Sequence, residues 1–329
     1  MNLNEFCKAF ADGVENSGSI VILPHVSADG DALGSAIAMA YFLISKNKHA
    51  RVVLEEPIPD KYNFLNNDSF IELYETERGC EADMIIALDT GDINRLGLRK
   101  TCFTSDNTWN IDHHKTNTEF ARNNYVDTAA SSTGEIVFRI MENMGYHICC
   151  RPAEALFTAI STDTGGLRYS NTTPESMRIC ASLLETGIDI AEISHRAFDM
   201  MPYPKVLLQG AAIDNMRLYF GGDLAVITLK SEDYDFLNGK EEYFDGIVNL
   251  TVNTEGVRAG VLIRETSDGT IKVNLRSAED GIDVSSLAGN NSGGGHIRAA
   301  GFTDASRSLE QAKEYIMGYF AEIFGNNEH

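Results

Sequence analysis

The sequence predicts an α/β protein: an N-terminal domain with a parallel sheet and helices on both faces, a helical connector, and a smaller α+β C-terminal domain. Residues 1–186 alternate short apolar runs with helical patterns, as parallel sheets with crossover helices do. The next stretch is helical but interrupted by prolines, and strand-like runs joined by a turn follow it. At 329 residues the chain is also long enough for two domains.

We assign residues 1–188 to the N-terminal domain. Its opening segment, Met1–Asn16, mixes charged and apolar residues and predicts an amphipathic helix instead of a signal peptide. The predicted strands are Ile20–Leu23, Arg51–Leu54, Met84–Leu88 and Thr108–Ile111, and the predicted helices are Ala32–Lys46, Gly134–Met144, Pro152–Ser161 and Pro174–Glu185. Each strand ends just before polar residues, where open α/β sheets bind their ligands.

Residues 189–216 are predicted to form the helical connector and residues 217–329 the C-terminal domain. In that domain the predicted strands are Asp223–Leu229, Val257–Arg264 and Thr270–Arg276, and the predicted final helix runs from Leu309 to about Phe324. The turn residues Ser267, Asp268 and Gly269 join the second and third strands as a hairpin.

Composition restricts the partners and the compartment. A net charge of −21 disfavours a protein that coats long DNA or RNA, so an anionic substrate must be small and locally bound. The longest nearly apolar run, Leu33–Ser45, is too short to cross a bilayer, and no membrane span is expected. The 6 cysteines lack the spacing of a zinc site or a disulfide framework, which favours the reducing cytoplasm. The oligomeric state is open, with a homodimer as one alternative.

A first candidate site is the segment HVSADGDALGS, which lies between the first predicted strand and a helix. A tight turn there can direct His25, Asp29 and Asp31 toward one point, and this mixture of nitrogen and oxygen ligands suits manganese or a similar ion. A plain Asp-Gly-Asp surface turn is the alternative. Asp89, in IIALDTGD, directly follows another apolar strand; it could bridge two metals, start a loop or cap a helix.

Two further segments add candidate ligands. Asp112, His113 and His114 end a strand in WNIDHHKTN. Neighbouring side chains diverge, so one histidine could bind metal while the other faces substrate, oriented by Asp112; a histidine pair that caps the strand is the alternative. Asp163 ends a helical run in AISTDTGGLRYSN, with Arg168 after a Gly-Gly turn. A helix terminator and an exposed arginine are the alternative there.

The C-terminal domain contributes a glycine-rich segment and nearby cations. Three consecutive glycines bring backbone N–H groups close to a ligand, and a helix after them would add its positive end to an anion site. A flexible linker is disfavoured, because apolar, helix-forming residues flank the glycines on both sides. The candidate residues are Gly293, Gly294, Gly295, His296 and Arg298, together with Arg276 in NLRSAED.

The order HxxxDxD, Asp, Asp-His-His, Asp and GGGH resembles the DHH phosphoesterase superfamily with its DHH-associated C-terminal domain, over nearly the whole chain. Within it, the length and the absence of additional sensory or oligonucleotide-binding domains are similar to the stand-alone NrnA-type oligoribonucleases. The resemblance implies two divalent ions, most simply manganese, in a cleft between the domains. It implies one ion held by His25, Asp29 and Asp89, and a second held by Asp31, Asp89, His113 and Asp163.

The resemblance also implies the roles of other residues. Asp89 would bridge the ions, Asp112 would support the histidines, and His114 would lie beside the scissile phosphate. A terminal phosphate or nucleotide would be bound by Arg276 and by Gly293, Gly294, Gly295 and His296, with Arg168 and Arg298 as additional contacts. One departure is visible: Ser292 stands where the family often has a bulky apolar residue.

The reaction implied is the release of nucleoside monophosphates from short oligoribonucleotides, with 3′-phosphoadenosine 5′-phosphate as a possible second substrate. A phosphodiesterase of cyclic dinucleotides or of their linear products is the closest alternative. A nucleotide-sensing module without turnover is a more distant one, since every expected ligand position is filled. The GGGH segment argues against an inorganic pyrophosphatase, whose second lobe resembles a clamp rich in lysine and arginine.

Overall fold

A computed structural model of the chain describes residues 2–66, 68–77, 79–103, 106–237, 239–278 and 282–325. The chain forms two compact units, residues 1–200 and residues 201–329. The division falls within the segment that the sequence predicts as a helical connector. None of the described helices is both long enough and apolar enough to cross a bilayer. The cytoplasmic location and the homodimer stay predictions.

The first unit is an α/β structure. Its strands are β1 (Ser19–Pro24), β2 (His49–Leu54), β3 (Ile71–Leu73), β4 (Met84–Leu88), β5 (Thr108–Asp112) and β6 (Asn123–Val126). Its α-helices are α1 (Leu3–Glu15), α2 (Gly30–Ser45), α3 (Thr133–Asn143), α4 (Cys150–Asp163), α5 (Pro174–Glu185) and α6 (Ile190–Ser194). The strands form a parallel sheet in the order β3-β2-β1-β4-β5-β6. The predicted α/β class and parallel sheet are confirmed.

Both faces of this sheet are covered. Ile20 and Ile22 of β1 point to one face, where they join the main apolar cluster formed with the α-helices. Val21 and Leu23 point to the other face and pack in a smaller cluster with Leu96, which belongs to the 3₁₀ segment Ile93–Cys102. Because the strands are parallel, their carboxyl ends lie along a single edge, and this edge carries the candidate ligands.

A disulfide between Cys80 and Cys102 supports the smaller cluster, with the two Cα atoms 5.6 Å apart. The sequence interpretation, which found no disulfide pairing among the cysteines, was wrong on this point. Cys80 lies just before β4, and Cys102 ends the 3₁₀ segment that covers the same face of the sheet. The fold brings together two residues 22 positions apart, and sequence spacing contains no sign of this.

The second unit is an α+β structure. Its α-helices are α7 (Tyr203–Asp214), α8 (Asn249–Val252), α9 (Val284–Gly289) and α10 (Leu309–Phe324). Its strands are β7 (Met216–Tyr219), β8 (Leu224–Leu229), β9 (Ala259–Glu265), β10 (Ile271–Ser277), β11 (Gly294–His296) and β12 (Ala299–Asp304). They form a mixed sheet in the order β11-β12-β10-β9-β8-β7, in which β8 and β9 are parallel. Helix α10 packs on one face of the sheet and α7 on the other.

The glycine-rich segment differs from its prediction. The sequence predicts a helix after the glycines, but the structure has β11 and then β12, and α9 ends before them. Strand β12 pairs with β10 and places Ala300 and Phe302 in the core, so sheet pairing outweighs local helix propensity. A Cβ on Gly293 or Gly295 would overlap the backbone of β12, so these glycines permit the close approach of β11.

Candidate metal centre

The predicted metal ligands come from strand ends and helix ends of the first unit. Three of them directly follow strands: His25 follows β1, Asp89 follows β4 and His113 follows β5. Asp29 and Asp31 lie at the start of α2, and Asp163 ends α4. The topology places them at the carboxyl edge of the parallel sheet.

These side chains converge into two groups in the structure. In the first, His25 Nε2 lies 3.7 Å from Asp29 Oδ1 and 3.6 Å from Asp89 Oδ2. In the second, His113 Nε2 lies 3.8 Å from Asp31 Oδ2 and 3.7 Å from Asp163 Oδ2. Within each group, a set of donor atoms lies within 4.8 Å of one another. The first group, and the second group joined by Asp89 through its contact with His113, contain the residues of the two ligand sets that the family resemblance implies. A third group combines Asp89, His113 and His114.

Asp89 belongs to both groups. Its Oδ2 faces His25 at 3.6 Å, and its Oδ1 faces His113 at 3.6 Å. Asp89 directly follows β4 and has a left-handed backbone with φ +54°, which aspartate tolerates better than most residues. A carboxylate whose two oxygens point to different imidazoles has the geometry of a bridging ligand.

The donor set fits divalent cations. Imidazole nitrogens combined with carboxylate oxygens suit manganese, iron or zinc. The separations of 3.6–3.8 Å are too long for good hydrogen bonds and close to those of two ligands on one ion. Asp31 and Asp89 are 1% and 3% exposed, and so many buried carboxylates repel one another unless cations neutralise them.

The pKa shifts show the same repulsion. Burial, followed by repulsion from Asp89, raises the pKa of Asp31 well above its usual range. Burial also raises the pKa of Asp163 to about 6. Burial lowers the pKa of His25, but its contacts with Asp29 and Asp89 outweigh that effect and raise the pKa to about 10. A cation that binds His25 must therefore displace a proton.

Helix α3 fixes two of the carboxylates. The backbone N–H groups of Thr133 and Gly134 donate to Asp31 Oδ2 and Oδ1 over 2.7 and 2.8 Å. The Thr133 hydroxyl donates to Asp89 Oδ1 over 2.9 Å. Ser132 caps the helix by accepting from Glu135 N. The positive end of α3 thus holds two acidic side chains in place, as helix N-termini do for anions.

Close helix packing makes this arrangement possible. A Cβ on Gly134 would lie 2.5 Å from the Cβ of Ala159 in α4, and 3.3 Å from Asp31 Oδ1. Sequence reasoning missed the contribution of Thr133 and Gly134 to the site. The available signal was the SSTGE segment, in which a serine N-cap announces a helix start that follows a strand.

Asp112 and His114 form a pair beside the cluster. Asp112 Oδ1 lies 2.7 Å from His114 Nδ1, and Asn117 Nδ2 donates to Asp112 Oδ2 over 2.6 Å. Burial alone would raise the pKa of Asp112. These two hydrogen bonds act in the opposite direction, and the pKa lies below its usual value. The bond to Asp112 raises the pKa of His114, whose side chain is 47% exposed. Asp112 is thus placed to orient the half-exposed His114 imidazole through its Nδ1.

Two neighbours of the ligands were also missed from the sequence. Asn117 orients Asp112, as described above, and Arg95 Nη2 lies 3.1 Å from His25 Nδ1. The main chain of Arg95 also accepts a hydrogen bond from Val26 N over 2.8 Å. Neither residue stands in a pattern that could have identified it, since both act through tertiary contacts.

The predicted substrate-binding residues are divided between the units. Arg168 lies in the first unit, five residues after Asp163, and its Nε donates to the Gly165 carbonyl over 2.7 Å. In the second unit, Arg276 Nε donates to Asn249 Oδ1 over 3.2 Å, and Arg298 donates to main-chain carbonyls at the end of β10. The remaining residues, Gly293, Gly294, Gly295 and His296, are exposed.

The sheet register brings some of the second-unit residues together. Both Arg276 in β10 and His296 in β11 are paired with Ala299, which lies in β12 between them. Arg276 and His296 therefore lie at the same end of the sheet, beside Arg298. Arg276 is partly exposed there, whereas His296, Arg298 and the glycines are exposed.

The sequence matches known families over most of its length. Residues 19–162 match the DHH family, N-terminal domain, and residues 236–322 match the DHHA1 domain. The bifunctional oligoribonuclease and PAP phosphatase NrnA of Thermus thermophilus is 32% identical over 91% of this chain and 88% of its own length. The protein of the same description from Bacillus subtilis is 24% identical over 86% and 88%.

Solved structures agree with these matches. An exopolyphosphatase-related protein from Bacteroides fragilis superposes with a TM-score of 0.84 at 30% identity, over 95% of both chains. A crystal structure of exonuclease RecJ bound to manganese shares the fold, with a TM-score of 0.55 at 11% identity over 98% of this chain and 94% of that one. The chain belongs to the DHH family of phosphoester hydrolases, in its NrnA-type group, and carries a DHHA1 domain in its second unit.

Proposed function

We propose that the chain is a manganese-dependent phosphodiesterase that uses two metal ions to hydrolyse short oligoribonucleotides to nucleoside monophosphates. The division of the Asp89 oxygens between two ligand groups carries this proposal. His25 and Asp29 would complete one ion site with Asp89. The other site would consist of Asp31, Asp89, His113 and Asp163.

Bound divalent cations supply a nucleophile at neutral pH and neutralise charge that develops on the phosphate oxygens. The protein side chains complete the chemistry. Asp112 lies 2.7 Å from His114 Nδ1 and would orient the imidazole, so that its Nε2 could donate a proton to a phosphate oxygen or to the leaving oxygen. The hydrogen bonds from α3 keep Asp31 and Asp89 oriented before any ligand arrives.

Charge and relatives support a short nucleotide substrate. A net charge of −21 opposes binding along a long RNA, whereas a small anion can be held by a few local cations. The Thermus thermophilus relative is named as both an oligoribonuclease and a PAP phosphatase, so 3′-phosphoadenosine 5′-phosphate is a reasonable second substrate. We propose Arg168, Arg276 and Arg298, with Gly293, Gly294, Gly295 and His296, as the substrate contacts.

A substrate panel with manganese tests the proposal. The protein is incubated with labelled linear diadenylate, a 20-nucleotide RNA, cyclic diadenylate and 3′-phosphoadenosine 5′-phosphate, and products are separated by length. We expect mononucleotide from linear diadenylate, little cleavage of the longer RNA, and loss of activity with a chelator. Asp31→Asn should be inactive, and the exposed Asp106→Asn is its matched control in the same unit. Faster cleavage of the cyclic substrate would favour the alternative phosphodiesterase, and no mononucleotide from any substrate would refute the proposal.

A further inference from the structure

The segment from Asp163 to Asn171 connects a proposed metal ligand to a closed loop. Gly165, Gly166 and Leu167 have left-handed backbones, with φ of +58°, +72° and +64°. Non-glycine residues such as Leu167 rarely adopt this conformation, and they keep it only where the surroundings enforce it. Such consecutive left-handed residues indicate a specifically built loop instead of a loose connection.

Hydrogen bonds fix the shape of this loop. The carbonyl of Thr164 accepts from the main-chain N–H groups of Arg168 and Tyr169 over 2.9 and 3.0 Å, and the Thr164 hydroxyl accepts from Leu167 N. The side-chain amide of Asn171 donates to the carbonyl and to the carboxylate of Asp163 over 3.1 and 3.3 Å. The loop is therefore anchored at both ends to the metal-ligand cluster.

The loop presents an aromatic ring. Tyr169 is 61% exposed, although its ring lies against Gly165 so closely that a Cβ there would overlap it. Glycine at this position thus leaves room for the ring, more than half of which stays exposed to solvent. Tyr169 belongs to none of the apolar clusters formed by the described residues, so it contributes little to the core.

The loop that carries the ring begins at a proposed metal ligand. Gly165 follows Asp163 by two residues, so their Cα atoms are at most about 7.6 Å apart. Arg168 is next to Tyr169, and its Nε donates to the Gly165 carbonyl. Its two Nη groups have no hydrogen-bond partner among the described residues and can reach a phosphate. A fixed aromatic face and a guanidinium beside a phosphate-cleaving centre are the groups that recognise a base and its phosphate.

We propose that Tyr169 is a substrate-binding residue that stacks on the base of the nucleotide whose phosphate lies at the metal centre. This inference rests on the proposed phosphodiesterase activity and makes its substrate class more specific. Stacking tolerates any base, because every base has a π face, so the site would select nucleotides over inorganic or simple alkyl phosphates without selecting a sequence. The rigid loop keeps the ring in place before the substrate binds.

Kinetics with linear diadenylate and two abasic analogues, each lacking one of the two bases, test the inference. For Tyr169→Ala we expect KM for diadenylate to rise about 5- to 150-fold, corresponding to about 1–3 kcal/mol of stacking per base, with kcat changed less than about twofold. Tyr169→Trp should keep the wild-type KM. Tyr169→Leu, which still covers Gly165, should behave like the alanine variant. Tyr203→Ala removes an exposed tyrosine, 71% accessible, from the second unit and is the matched control.

The abasic substrates separate stacking from loop support. One analogue should bind wild type and Tyr169→Ala equally weakly, because it lacks the stacked base, while the other should reproduce the full difference. An unchanged KM for diadenylate in Tyr169→Ala, or an equal loss on both analogues, would overturn the inference. Failure of the wild-type protein to cleave diadenylate would instead overturn the proposed function. Unchanged thermal unfolding followed by circular dichroism would confirm that each variant is folded.

Discussion

The two units contain different kinds of candidate site. In the first unit, Asp31 accepts hydrogen bonds from Thr133 N, Gly134 N and the Ser35 hydroxyl, all of them buried. In the second unit, the glycines and His296 of β11 are exposed, and Arg276 is held by a bond to Asn249. Two proposed metal ligands, Asp31 and Asp89, are thus fixed in advance by buried hydrogen bonds, whereas most of the proposed phosphate contacts of the second unit lie on the exposed edge strand β11 and beside it.

This difference predicts a division of labour, in which the two units affect different kinetic constants. Preorganised groups around a reacting centre affect the chemical step, because they cost no reorganisation during the reaction. Exposed groups that bind a remote part of the substrate contribute mainly to its affinity. Substitutions in the first-unit network should therefore change metal affinity and kcat, and substitutions on the second-unit surface should change KM. Variants in each unit can break or sharpen this contrast.

The largest effect is expected for Asp89→Asn. Loss of the proposed bridging carboxylate should lower the rate of dinucleotide hydrolysis by about 1,000-fold or more, since metal catalysis lowers the activation barrier by several kcal/mol. The variant also removes a repelling neighbour of Asp31 and an attracting neighbour of His25, so the pKa of both residues should fall. Hydrolysis of linear diadenylate with manganese measures the loss, and Trp109 fluorescence shows whether the variant is folded. Activity within tenfold of wild type would exclude a bridging role.

Arg276→Gln tests the second-unit surface. Loss of a charge-assisted contact with a terminal phosphate, about 1.5–3 kcal/mol, should raise KM for diadenylate by about 10- to 150-fold with little change in kcat. The exposed Arg217→Gln in the same unit is the control and should leave both constants unchanged. A fall in kcat at constant KM would contradict the division of labour between the units.

Thr133→Val tests whether the first-unit network acts through the metals. Removing the hydroxyl that donates to Asp89 should weaken manganese binding by about 10- to 100-fold, the usual effect of losing a hydrogen bond to a metal ligand. Thr133→Ser restores the donor and should recover most of the affinity. Calorimetric titration of the chelator-treated protein with manganese gives the constants. Equal affinities for the valine and serine variants would show that the hydroxyl has no positioning role.

The proposed ligands could be identified from the sequence, because most stand at the end of an apolar run whose periodicity indicates a strand or a helix, and Asp29 and Asp31 stand at the start of a helix. Asp89 after Met84–Leu88 is the clearest case. Thr133 and Asn117 could not, since their contacts depend on how α3 and the loop after β5 pack in three dimensions. No local pattern distinguishes them from ordinary polar residues.

The inner strands of each sheet were predicted, except β12, and most of the edge strands were missed. The edge strands β3, β6 and β7 are short and only partly buried, so they lack the continuous apolar run that predicts a buried strand. Strand β11 is composed of glycine and histidine, and its strand conformation comes from pairing with β12. The hairpin of β9 and β10 was confirmed, because alternation and turn residues both signal it.

The smallest effect is expected for Glu241→Gln, which concerns stability of the second unit alone. Glu241 pairs with Arg264, whose guanidinium is buried over the Phe244 ring, and it accepts from Lys272 Nζ over 3.0 Å. The pKa of Glu241 is lowered from 4.5 to about 2, mainly by the hydrogen bond from Arg264. Burial opposes this shift with a smaller effect, and the hydrogen bond from Lys272 adds to it. Since the Glu241 side chain is 52% exposed, solvent screening limits the expected loss to about 1 kcal/mol at pH 7.

The pH dependence of that loss identifies its cause. The folded-state pKa of Glu241 lies below the unfolded value, so the carboxylate stabilises the fold fully above pH 4.5 and progressively less as the pH falls toward 2. The difference between wild type and Glu241→Gln, measured by urea unfolding with circular dichroism, should therefore disappear near pH 2, while the exposed Glu255→Gln shows none at either pH. A loss of stability in Glu241→Gln that persists at pH 2 would mean that packing around Arg264 is responsible. Manganese affinity should be unchanged in both variants, because Glu241 and Glu255 lie in the second unit and the proposed metal ligands lie in the first.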